Sequence, residues 1–99
     1  MKNTFAQRIL AYKKVTAALF GDLEKILSEV DVEFFTADSM VVVQIDDQQT
    51  VNDVVEALDK KYELRIASPS VYHRPSFALV GPKLTVRRVG SVLQLYGTR

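Results

Sequence analysis

Over the first thirty residues Phe5, Ile9, Tyr12, Thr16, Leu19, Leu23, Ile26, Leu27 and Val30 recur at steps of three and four, the spacing that lines up one face of a helix. The spacing predicts a helix from Thr4 to Val30. Gly21 followed by Asp22 leaves two outcomes open, continuity or a break, because Gly tolerates a left-handed helix end and Asp can cap a new start.

From Asp31 the period shortens to two. Val32, Phe34 and Thr36 alternate with Glu33 and Phe35, and Ala37-Asp38-Ser39 supplies a turn before the β-branched run from Met40 to Ile45, so a hairpin is expected. Met40-Val41-Val42-Val43 is apolar on both alternations, which predicts a central strand covered on both faces or paired on both edges.

Asp46-Asp47-Gln48-Gln49 interrupts this pattern, and Thr50 with Asp53 three residues on has the spacing of a capping box. A helix from Val51 to Tyr62 follows, with Val51, Val54, Val55, Leu58 and Tyr62 as its apolar stripe. Lys60 and Lys61 stand at its negative end.

The remainder reads as a strand at Leu64 to Ala67, a Pro-bounded loop from Ser68 to Pro75, and a strand at Phe77 to Val80. A Gly81-Pro82 turn and a hairpin follow, Leu84 to Val89 and Val92 to Tyr96, around Gly90-Ser91. The order αββαβββ predicts one α+β domain spanning residues 1–99, two helices packed on a mainly antiparallel sheet of four to six strands. Strand, strand, helix, strand, strand is also the order of a β-grasp domain, and Met40 to Leu58 looks like the second strand and helix of such folds. That resemblance assigns no function, and the ending Tyr96-Gly97-Thr98-Arg99 lacks the Gly-Gly of the conjugating members.

Ninety-nine residues with no Cys exclude disulfides, thiolate nucleophiles and Cys-ligated metals. No secretory signal and no membrane span are expected: Met1 to Phe5 begins no long apolar core, and no apolar run approaches the roughly 18 residues a span needs. A cytoplasmic protein is the expectation.

His73 is the single histidine, so a multi-histidine metal site is excluded. Asp46, Asp47 and Asp53 lack the alternating ligands and mid-loop Gly of a calcium loop, and neither metal nor cofactor is expected. No Ser lies in a Gly-x-Ser-x-Gly elbow, and Gly81-Pro82-Lys83 is too short for a phosphate loop.

Charge changes the picture more than any motif. The net charge is +1, yet residues 1–20 carry four cations and no acid, residues 21–63 carry twelve acids and three lysines, and residues 64–99 carry six cations and no acid. Candidate contact residues are therefore Arg65, Tyr72, His73, Arg74, Lys83, Arg87 and Arg88, which combine planar cations, a titratable ring and an aromatic face.

Three functional readings follow. The first is a non-catalytic accessory protein that docks on a protein partner and inhibits or adapts it, through the basic segment, the acidic helices or a free edge strand at Leu64 to Ala67 or Val92 to Tyr96. The second is a nucleic-acid-binding protein using the basic last third, with Tyr72, Phe77 or Tyr96 for stacking. A small metal-independent nuclease using Tyr, Arg and His is the third. Charge pairing within the molecule, which would leave nothing over for a partner, competes with the first two, and a homodimer is a further outcome.

Overall fold

The computed structural model describes residues 14–98. Its elements are α1 (Ala17–Glu29), β1 (Phe34–Ala37), β2 (Met40–Gln44), α2 (Gln48–Tyr62), a 3₁₀ turn (Pro69–His73), β3 (Ser76–Val80), β4 (Leu84–Val89) and β5 (Val92–Gly97). All sheet pairings are antiparallel and the strand order is β1-β2-β5-β4-β3. This is an α+β fold with five strands.

α1 starts later than the periodicity suggests. Thr16 is extended rather than helical, and its hydroxyl accepts from the Leu19 N–H, so it caps the helix instead of joining the apolar stripe. The predicted turns over Thr4 to Lys13 lie outside the described residues. Helix α1 runs unbroken through Gly21, where a Cβ would meet nothing within 4 Å. It ends at Val30, after which Asp31 takes the left-handed conformation usual for Gly and the Val32 N–H reaches back to the Leu27 carbonyl.

The β1–β2 turn is Asp38-Ser39, both at positive φ (52° and 65°), as a type I′ hairpin turn demands. Strand β2 is paired on both edges, with β1 and with β5, as its two-sided apolar run predicts. α2 begins three residues earlier than the predicted Val51, because Asp47 and not Thr50 is the cap. The Asp47 carboxylate accepts from both the N–H and the hydroxyl of Thr50, each at 2.9 Å. Those bonds, the backbone one foremost, hold its pKa below the usual carboxylate value.

Glu63, at φ 52°, ends α2 and turns the chain back. The expected strand at Leu64 to Ala67 is not formed: Leu64 and Ile66 reach the core singly while their backbone pairs with no strand. The sheet is completed instead by the β3–β4–β5 meander, whose last strand is inserted beside β2. Val92 to Tyr96 is therefore central and offers no free edge; the edges are β1 and β3. A β-grasp sheet sets its first strand centrally and parallel to its last, whereas here β1 is an edge and every pair is antiparallel, so that resemblance fails.

Both helices cover one face of the sheet. Leu23 and Leu27 of α1, with Val51, Val54, Val55 and Leu58 of α2, are fully buried against Val41, Val43, Leu84, Val86, Leu93 and Leu95. Removing this many aliphatic side chains from water is the main stabilising contribution of the fold. Gly81 fits the β3–β4 turn under the end of α2: a Cβ there would stand 2.6 Å from the Tyr62 carbonyl oxygen.

Candidate functional site

Adjacent arginines on β4 have opposite surroundings because successive side chains of a strand point to opposite faces. Arg88 points to the helix side. Its Nη1 donates to Gln48 Oε1 (3.1 Å), to the Tyr72 carbonyl (3.2 Å) and to the Arg74 carbonyl (3.3 Å), while its Nε donates to the Gly90 carbonyl (3.1 Å). Gln48 in turn donates to the same Tyr72 carbonyl at 2.9 Å. Arg88 thus ties the start of α2, the 3₁₀ turn and the β4–β5 hairpin together. Its Nε and Nη1 donors go to neutral acceptors inside the fold.

Tyr72 belongs to the same knot. Its ring is buried, 6.5 Å from that of Phe77, and burial first, then the charges of Asp59 and Glu56, raise its phenol pKa above 10.0. It presents no stacking face to solvent. His73 and Arg74, at the end of the 3₁₀ turn, and Arg65, in the segment after α2, have exposed side chains. Lys83 is exposed in the β3–β4 turn, at the other end of β3 from Arg74. The structure therefore brings Tyr72, His73, Arg74 and Arg88 together at the 3₁₀ turn, while Lys83 stands at the other end of β3 and Arg87 on the opposite face of the sheet.

Arg87 is exposed on the sheet face opposite α1 and α2. Across that face, register places Ala78, Arg87, Gln94, Val42 and Phe35 in one row spanning all five strands. Ser76, Val89, Val92 and Gln44 form the row on one side, and Val80, Thr85 and Tyr96 lie on the other. Phe35, Val80 and Val89 are the large apolar side chains left most open, at 52%, 46% and 46% exposure. Arg87 is the charged member of these rows.

Arg65, Arg74, Lys83, Arg87 and Arg88 of the basic last third form no ion pair among the described residues. Among the described residues the ion pair formed is Lys61 with Asp22 at 3.5 Å, and both belong to the acidic central block. Asp31, Glu33 and Asp46, with Gln44 and Thr50, surround a cleft of about 310 Å³ at the Gln44 end of the outer face, where the Gln44 N–H donates to the Glu33 carbonyl. Among the described residues no group of three His, Cys, Asp or Glu is placed to hold a metal, and no helix is long and apolar enough to cross a membrane.

The outer face was missed by sequence reasoning as a surface, although its parts were in view. Phe35, Val42, Val80, Val89 and Val92 all sit at the alternation opposite to the core positions of their strands, a signal readable once each strand's inward set is known. No family model matches the chain, and no curated protein or solved structure matches it either.

Proposed function

We propose that this is a non-catalytic accessory protein that docks another protein on the outer face of its sheet. The observation that supports this reading is the sheet face opposite α1 and α2, on which Phe35, Val80 and Val89 are exposed beside Arg87, while Val42 and Thr85 are buried. Apolar surface of this kind gains free energy on being covered and marks interaction sites on small soluble domains. A cytoplasmic setting accords with a sequence that contains no Cys.

Nucleic-acid binding draws less support from the geometry. Strong phosphate binding needs several cations on one surface, and here Arg88 is turned inward while Arg74 and Lys83 stand at opposite ends of β3.

The test uses the full chain with an affinity tag, its Val89→Asp variant and, as a control on the helix layer, Glu56→Lys. A protein retained by the wild type and by Glu56→Lys but lost with folded Val89→Asp is the expected result. Labelled single-stranded RNA or DNA bound tightly, with a steep negative salt dependence and no protein retained, would replace this reading by the nucleic-acid one.

A further inference from the structure

We propose that the outer face recognises an apolar protein segment carrying one carboxylate, which Arg87 engages; this rests on the protein-docking reading above. Among the described residues the Arg87 guanidinium makes no hydrogen bond or ion pair, in contrast to the four bonds made by its neighbour Arg88. Its lateral neighbours are Ala78 and Gln94. Ala78 is exposed and small, so the β3 side of the guanidinium is a low wall open to an incoming group. Gln94 offers both a donor and an acceptor on the other side.

The electrostatics select the sign of the partner. Residues 64–99, which supply β3, β4 and β5, contain no acid, so no carboxylate on these three strands neutralises Arg87. An arginine fork paired with a carboxylate forms two parallel charge-assisted bonds, and Val89, two residues along β4 on the same face, keeps water away from one side of them once covered. A lysine or arginine at that place in the partner is repelled, which makes Arg87 a device of specificity as well as attraction.

The same charge argues against a second copy as the occupant. Arg87 lies on β4, one strand from β5 at the middle of the sheet, so a two-fold pairing of this face with itself brings two uncompensated guanidinium groups toward each other.

The probe is a random peptide library displayed on phage and panned against the immobilised full chain, with circular dichroism confirming that each variant is folded. Enriched peptides are expected to carry Asp or Glu among aliphatic or aromatic residues, and to bind Arg87→Glu about tenfold or more weakly. The same library panned on Arg87→Glu should shift toward peptides with Lys or Arg. Enrichment of uncharged apolar peptides, lost with Val89→Asp and kept with Arg87→Glu, would overturn the carboxylate and leave protein docking standing. Enrichment indifferent to both substitutions, or none at all, would overturn the two together. Concentration-dependent dimerisation abolished by Val89→Asp would assign the face to a second copy.

Discussion

Arg88 Nη1 lies 3.1 Å from Gln48 Oε1, so a side chain of the fourth strand closes over the first turn of α2 forty residues earlier in the chain. Arg88 Nη1 and Gln48 Nε2 both donate to the Tyr72 carbonyl and so satisfy a backbone acceptor of the 3₁₀ turn. This is a structural use of a residue that composition places among the candidate contact groups.

Arg88→Ala is accordingly expected to destabilise the fold by roughly 1.5–3 kcal/mol, the range for hydrogen bonds to a charged group. Lys cannot reproduce the fork and should rescue only part of the loss. Arg87→Ala, one residue away, should stay within about 0.5 kcal/mol of the wild type. Urea unfolding of the three variants checks this; equal losses at 87 and 88 would refute the division of roles.

At the β3–β4 turn, Gly81→Ala places a methyl against the Tyr62 and Glu63 carbonyl oxygens, 2.6 and 3.1 Å away. Backbone must move, and a loss of about 1–3 kcal/mol is expected. A variant that melts with the wild type would show that the turn can shift freely.

Ser39 occupies a left-handed position at φ 65° that Gly adopts without strain. Ser39→Gly should therefore stabilise the hairpin, by about 0.5–1 kcal/mol after the added flexibility of the unfolded chain is counted. A lowered thermal midpoint would contradict it.

Tyr62 buries its hydroxyl with no hydrogen-bond partner among the described residues. Removing it by Tyr62→Phe should leave stability at neutral pH unchanged or higher. Burial, with a smaller contribution from Asp22, raises the Tyr62 pKa above 10.0, and burial likewise raises that of Tyr72. Below pH 10 both phenols are protonated folded or unfolded. Above it the unfolded chain ionises first, so stability falls as pH rises toward the folded values. Alkaline titrations of chemical stability should be flatter in Tyr62→Phe and Tyr72→Phe; slopes identical to the wild type would count against the raised values.

At the other end of the scale, Asp47 has a lowered pKa, so its cap is intact above 3.8 and is lost as pH falls through the folded value. Asp47→Ala should lower the thermal midpoint at pH 7 and weaken the acid dependence below 3.8. Helicity followed by circular dichroism is the measurement.

Element order and class were legible in the sequence because the periods of two and near four alternate cleanly along it. Three features were not. Asp47 and Thr50 both have the chemistry of a cap, and the choice between them rests on where the preceding strand releases the chain. Leu64 to Ala67 has the composition of a strand, but β2 is already paired on both edges, by β1 and β5, and the segment runs outside the sheet. Arg87 and Arg88 are indistinguishable by type, and only the pleat of β4, set by the Gly90 turn with its positive φ of 58°, sends one inward and the other out.

β5 is synthesised after every other strand and yet stands in the middle of the sheet. Until residues 92–97 have left the ribosome, the β1–β2 hairpin and the β3–β4 pair have no strand to join them, and Val41, Val43 and Val86 have no Leu95 or Leu93 beside them. The nascent chain must therefore hold two half-sheets apart, each with unpaired backbone along an apolar strand, until β5 emerges. Assembly of this domain is gated by its last strand, and the interval before that strand arrives is when the chain most needs protection from its neighbours.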